Sequence, residues 1–149
     1  MASAILFFGG NSDERLVSVA SAQNLANRFP FDEHWYLHTT GEVSRVTKEE
    51  LLAHERPFEA EFKPRGAPLS RTLVDALPQI RGRVMFMAMH GTQGEDGQIQ
   101  RLFEEHRISY TGSNAQSSAD CFDKMKSKVI ARRHGLPLAD ERVLRASEK

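Results

Sequence analysis

The sequence predicts an α/β fold with a mainly parallel sheet flanked by helices, followed by the start of a second domain. Three observations predict it. Ile5–Phe8 and Val84–Met89 are unbroken apolar runs, as in strands covered on both faces rather than one. Each run stops at a glycine-bearing turn, Gly9-Gly10 and His90-Gly91. After each turn the apolar residues change to helical spacing, the alternation that builds parallel sheets.

In chain order, Asn11 and Ser12 offer cap side chains after the first strand, and a helix follows through Leu16, Val19, Ala22, Leu25 and Phe29. Pro30 ends it. Trp35–His38 reads as a second strand closed by Thr40-Gly41. Thr47 and Glu50 match a capping box, in which the Glu50 side chain reaches back to the cap, before Leu51-Leu52. Arg56–Ser70, with three prolines and Phe58, Ala60 and Phe62 alternating against charged residues, reads as a loop or edge strand. A short helix over Ser70–Leu77 precedes the Val84–Met89 strand. Ile99, Leu102 and Phe103 then mark an amphipathic helix, and Ile108–Thr111 a short strand. A longer helix from about Ser117 carries Phe122, Met125, Val129 and Ile130 as its apolar stripe. Gly135 stands where a helix terminates and Pro137 blocks continuation; Glu141–Leu144 resembles an opening strand. The expected division is 1–116 for the first domain and 117–149 for the first helix and strand of an incomplete second one. There is no internal repeat.

The chain has 149 residues, 40% hydrophobic and 27% charged, with 20 basic and 20 acidic side chains. That is the composition of a globular domain, and the zero balance supplies no global field for nucleic acid or an anionic membrane. Cys121–Lys149 has eight basic against four acidic residues, a local excess that a solvated helix face accounts for as readily as a ligand does. The single cysteine, Cys121, excludes an internal disulfide and a thiolate-rich metal site; beside Phe122 it reads as buried and inert. No segment approaches the roughly 18 apolar residues of a membrane span, and Met1–Phe8 reads as a strand rather than a signal peptide. The expected location is cytoplasmic.

In parallel sheets ligands bind beyond the carboxyl ends of strands, and three stretches fall there or soon after. Gly9–Arg15 sets a tight turn ahead of a helix N-terminus, favourable to an anion; Glu14 competes with phosphate but suits an ammonium, and a plain turn with an acidic first helical turn fits equally. His90–Gly97 places three glycines in eight residues. His90 at the sheet edge could donate to a carboxylate or transfer a proton. A metal site of His90, Glu95 and Asp96 is the sharper alternative, though it matches no established ligand spacing, and Asp96-Gly97 could simply cap the next helix. Lys124 and Lys128 share a helix face, either for phosphates or for water.

Together and in this order, these stretches resemble the D-alanine–D-alanine ligase family. Gly9–Ser18 matches its Gly-Gly-x-Ser-x-Glu-Arg-x-Val-Ser motif, and His90–Gln100 its His-Gly-x-x-Gly-Glu-Asp-Gly-x-x-Gln signature. Tyr110–Ser113, Ser118-Ala119, Asp123-Lys124, Lys128 and Gly135–Pro137 supply the third match. The resemblance skips roughly residues 30–83. It implies the ATP-grasp architecture with a Rossmann-like pre-ATP-grasp amino-terminal domain, and ATP and Mg2+ as cofactors. It also implies that ATP activates one D-alanine as an acyl phosphate for attack by the amine of a second, forming the dipeptide of peptidoglycan. On that resemblance Glu14 would be catalytic and hold the first substrate's ammonium, with Val17 lining the pocket. His90 would be catalytic near the substrate carboxylate, and Lys124 would bind nucleotide phosphates. The magnesium ligands and the serine and tyrosine partners of Glu14 would lie beyond Lys149, leaving the chain inactive alone. A homodimer is implied; no nucleic acid or membrane is. The sequence departs from the family pattern at Asp13, Leu16 and Arg101. The alternatives are a ligase-like relative with another second substrate, or a non-catalytic amino-acid-binding or interaction module.

Overall fold

The computed structural model describes residues 3–142. Five strands form one sheet in the order β3-β2-β1-β4-β5: β1 Ala4–Gly9, β2 Glu33–Leu37, β3 Val43–Val46, β4 Val84–Met87 and β5 Ser109–Tyr110. β2, β1, β4 and β5 run parallel to one another, and the edge strand β3 is antiparallel to β2. The helices are α1 Arg15–Arg28, α2 Lys48–Leu52, α3 Leu73–Ala76, α4 Gln98–Glu105, α5 Ala115–Phe122 and α6 Lys124–Arg133, with a 3-10 turn at Leu77–Ile80.

The continuous apolar character of β1 follows from its central position. Ile5 and Phe7 point to one face, where they meet Trp35, Leu77, Ile80, Met85 and Phe103. Leu6 and Phe8 point to the other, against Val19, Ala22 and Ala26 of α1, Leu51 of α2 and Tyr36. All four are fully buried, each contributing roughly 1.5–3 kcal/mol. Two helical layers on one sheet are therefore what the Ile5–Phe8 run demanded.

Several expectations are corrected. β3 has no counterpart in the sequence reading, because the four residues pair locally with β2 (Tyr36 with Ser44, Leu37 with Val43) across a short turn. The Arg56–Ser70 stretch takes the loop alternative, with only an isolated bridge from Ser70 to Val43. Phe58 is 65% exposed while Phe62 is buried, and amide N–H groups of Glu59 and Ala60 both donate to the Arg56 carbonyl in a single turn. Phe62 instead anchors the loop against Phe8 and Tyr36, and an Arg15–Glu61 ion pair clips it to α1. Thr47 caps α2 by accepting from the Glu50 amide, but the Glu50 carboxylate accepts from the Arg65 amide instead of returning to the cap.

The long helix expected from Ser117 is two. Asp123 adopts an extended backbone, and its carboxylate accepts from the amides of Met125 and Lys126, starting α6 afresh. α6 ends with Gly135 at φ +69°; the Gly135 and Leu136 amides donate back to the Arg132 and Ala131 carbonyls, the closing pattern of a Schellman motif. The stripe Phe122, Met125, Val129 and Ile130 is 38–45% exposed, and Cys121 is exposed rather than buried. Glu141 and Arg142 are in no regular element; the rest of the expected Glu141–Leu144 strand lies outside the described residues.

Candidate functional site

The sheet delivers the loops after β1 and β4 to the same carboxyl edge, and a few small residues lock them together. Ser18, fully buried on α1, accepts from the Gly9 amide and donates to the Ala88 carbonyl, both at 2.8 Å. One hydroxyl thus fastens the ends of β1 and β4. Gly91 has φ +71°, and a Cβ there would run into Ser12 Oγ. Only glycine permits this contact, for steric and backbone reasons at once. Gln93, also left-handed at φ +67°, donates its amide to Asp96 at 3.0 Å, and its side-chain oxygen accepts from the Asn11 amide at 3.3 Å.

The helix α1 begins one residue after Glu14. The Glu14 amide donates to Ser12 Oγ at 2.9 Å, so Ser12 makes the turn that the sequence assigned to a helix cap. Glu14, Val17 and Ser21, spaced three and four apart, follow one stripe of α1. At one end of that stripe the Ser21 hydroxyl meets His90 Nε2 at 2.8 Å. On the other side of the ring, His90 Nδ1 is 3.9 Å from Glu95 Oε1, while Glu95 Oε2 accepts from the Gly91 amide at 2.8 Å. Glu14, His90 and Glu95 each offer a ligand atom within 4.8 Å of the others. Glu14 and Glu95 are exposed and His90 is half-buried, so the group opens to solvent and can receive a ligand.

The structure therefore unites Glu14 with His90, and adds Glu95. Asp96 turns away: its oxygens accept from the Gln93 and Gln98 amides and from the Gln98 side chain, the capping role that was the simpler alternative. The His90–Glu95–Asp96 metal site is not formed. Val17 lies along the same helix face, 37% exposed, in a groove with Ser21, Asn24, Pro57 and Phe58. Lys124 is the first residue of α6. The amides there already bind the Asp123 carboxylate, and Lys128 pairs with Glu141 at 2.7 Å. Glu141 in turn is held below the usual carboxylate range by Lys128 and Arg132.

Two carboxylates and an imidazole give a cation or ammonium three partners, but they fit magnesium poorly, which takes hard oxygen ligands in a tight octahedron. One lysine beside a self-capped helix does not form a phosphate cradle. Sequence reasoning named Glu14, Val17 and His90 but assigned no role to Ser18 or Ser21. Ser18 closes the Gly9–Ser18 motif and Ser21 shares a helix stripe with Glu14, but neither signal identifies the groups these hydroxyls meet.

A second cleft of about 510 Å³ opens beside Glu95, between the ends of β4 and β5 and α5, lined among others by Met89, Gln100, Ser113, Ser117 and Phe122. Its walls are tied by Glu104, which accepts from the Tyr110 hydroxyl at 2.7 Å and the Ala115 amide at 2.9 Å. Desolvation, then Glu104, pushes the Tyr110 phenol up to about 12, so the hydroxyl remains a donor. Among the described residues no helix is long and apolar enough to cross a membrane.

Comparisons with known proteins agree on the fold and the family. A family model described as "D-ala D-ala ligase N-terminus" matches residues 3–113. The D-alanine–D-alanine ligase of Coxiella burnetii (strain RSA 493 / Nine Mile phase I) is 33% identical over 147 residues, covering 89% of this chain. That of Thermoanaerobacter pseudethanolicus is 34% identical over 149 residues, covering 91%. The chain spans only 39% and 41% of the lengths of these two proteins. Among solved structures, the Coxiella burnetii D-alanine–D-alanine ligase superposes with a TM-score of 0.70 at 29% identity, covering 94% of this chain and 44% of that one. VanG D-Ala:D-Ser ligase from Enterococcus faecalis superposes at 0.67 and 28%, covering 91% and 43%. The Helicobacter pylori D-alanine–D-alanine ligase, at 0.72, 21%, 94% and 47%, supports the fold alone. With its family model matched over most of its length and its two motif loops locked at one sheet edge, this chain belongs to the D-alanine–D-alanine ligase amino-terminal domain family.

Proposed function

We propose that this chain is the first-substrate portion of an ATP-dependent D-alanine–D-alanine ligase, acting in the cytoplasm in peptidoglycan synthesis. The observation that carries the reading is the meeting of Glu14 and His90 at the sheet edge. An α-amino acid presents an ammonium and a carboxylate a few ångströms apart. The Glu14 carboxylate is the counter-charge for the first, and the His90 imidazole a donor for the second. Val17 walls the groove beside them.

The chemistry expected of the longer protein is activation of the bound carboxylate by ATP with Mg2+, followed by attack of a second amine. Phosphoryl transfer depends on positioning and charge neutralisation, and here Lys124 is the residue assigned to the nucleotide phosphates. One lysine does not neutralise a triphosphate, so the chain alone is expected to lack ligase activity. Residues 1–116 form the substrate-binding domain in this reading; the boundary at 117 falls in the first turn of α5. The whole protein is proposed to act as a homodimer.

Calorimetric titration of the chain with D-alanine, L-alanine and ATP tests the site. D-alanine is expected to bind and ATP to bind weakly or not at all. Glu14→Gln should weaken D-alanine binding by about 10–150-fold, the value of a hydrogen bond to a charged group at about 1.5–3 kcal/mol, and should leave folding unchanged because Glu14 is exposed. Equal binding by Glu14→Gln and the parent chain would remove Glu14 from the site. A second reading, in which the second substrate is not D-alanine, is favoured by the likeness to a D-Ala:D-Ser ligase. Product analysis of the longer protein supplied with D-alanine plus D-serine or D-lactate separates the two.

A further inference from the structure

We propose that Ser21 is a positioning residue of this site: its hydroxyl donates to His90 Nε2 and so fixes the imidazole with its proton on Nδ1, facing the carboxylate side. The 2.8 Å contact alone fits either direction of donation, since neutral imidazole has one donor and one acceptor nitrogen. The opposite side of the ring decides. Nδ1 lies 3.9 Å from Glu95 Oε1, and Glu95 cannot swing freely because its other oxygen accepts from the Gly91 amide. Glu14 completes the group within 4.8 Å. A bare lone pair on Nδ1 would face negative charge, whereas an N–H there is favoured. Nε2 is then the acceptor, and the hydroxyl must donate.

Ser21 is free to do this. A serine inside a helix commonly turns its hydroxyl back to the carbonyl four residues earlier. Here its one side-chain hydrogen bond among the described residues is to His90. Ser21 lies seven residues after Glu14 on the same stripe of α1, so one rigid helix sets both the carboxylate and the tautomer of the imidazole. If the imidazole becomes charged, the hydroxyl can rotate to accept from Nε2–H, and Nδ1–H still points the same way. A donor is therefore presented to the ligand in both charge states. Its use toward a substrate carboxylate rests on the function proposed above; the tautomer itself does not.

The test is long-range 1H–15N spectroscopy of the 15N-labelled chain near pH 8.5, above the ordinary histidine value of about 6.5, with His90 assigned by its loss in His90→Asn. The neutral Nδ1–H form is expected to dominate in the parent chain. Ser21→Ala should lose that preference and populate the Nε2–H form, and Ser21→Thr, which keeps a hydroxyl, should restore it. An Nε2–H form in the parent chain would overturn the proposal, as would a folded Ser21→Ala with an unchanged ring signature. Should Ser21→Ala fail to fold, the parent and Ser21→Thr spectra decide by the same criterion. Adding D-alanine to the same samples separates the two readings. Absence of any effect on the His90 nitrogens counts against the substrate assignment, while a tautomer that responds to Ser21→Ala still establishes the positioning role.

Discussion

Replacing Ser18 with alanine should destabilise the protein far more than loss of one hydroxyl suggests. Ser18 is fully buried and serves two backbone groups, accepting from the Gly9 amide and donating to the Ala88 carbonyl. Alanine fits the helix and leaves the packing almost intact, but it strands both groups where water does not reach. An unsatisfied buried polar group costs about 1–3 kcal/mol, so the two together predict a loss of about 2–5 kcal/mol, out of a stability of about 5–15 kcal/mol for a domain of ordinary size. Urea unfolding followed by circular dichroism reads this directly. With a slope of about 2 kcal/mol per molar urea, the middle of the usual range, the midpoint should fall by about 1–2.5 M. The slope itself should stay constant, since the surface exposed on unfolding is unchanged. A midpoint shift within about 0.2 M would refute the argument that this hydroxyl fastens β1 to β4. Because the same contact sets the spacing of Glu14 and His90, D-alanine binding should weaken in the variant even under conditions where it remains folded.

Two other outcomes follow from the structure. Gly91→Ala forces a side chain into Ser12 at a left-handed backbone angle, so it should cost at least about 1–3 kcal/mol and displace His90; an unchanged midpoint with retained D-alanine binding would contradict the loop contact. His34 is buried with no partner for Nε2, and burial, then Lys48, lowers its pKa. The group's stabilising contribution is therefore fully present above its unfolded value of about 6.5 and is lost as pH falls from there through the lowered folded value. Thermal midpoints should drop between pH 7.5 and 5.5 in the parent chain, and His34→Leu should flatten that drop; equal slopes in the two would show that His34 does not carry it.

Much of the architecture was legible because burial on both faces leaves a plain mark. Ile5–Phe8 and Val84–Met89 have no polar alternation; the first is the fully buried run of β1, while the second forms β4 only over Val84–Met87, where Met85 alone is fully buried. β3 left no such mark: four residues at an edge are held by a hairpin pairing to β2 and by the bridge from Val43 to Ser70, not by burial on both faces. The break at Asp123 was missed for a related reason. Met125, Val129 and Ile130 continue a helical period across it, and only the capping geometry of the Asp123 carboxylate reveals two helices. Cys121 is exposed although Phe122 beside it is apolar, because Phe122 is itself 43% exposed.

By itself the sequence determined the fold class, the family resemblance and the identity of Glu14, Val17, His90 and Lys124 as candidates, since strand periodicity and motif order are properties of the chain. The tertiary structure decided which of them meet. Glu14 and His90 are 76 positions apart and converge because parallel strands carry their carboxyl ends to one edge. Of the candidate pair Glu95 and Asp96 it also decided that Glu95 meets Glu14 and His90 while Asp96 turns to the Gln93 and Gln98 amides, although the two are adjacent in sequence. A hydrogen bond depends on direction and on distances of about 3 Å, and a linear pattern specifies neither for residues on different elements. The roles of Ser18 and Ser21 exist only at that level.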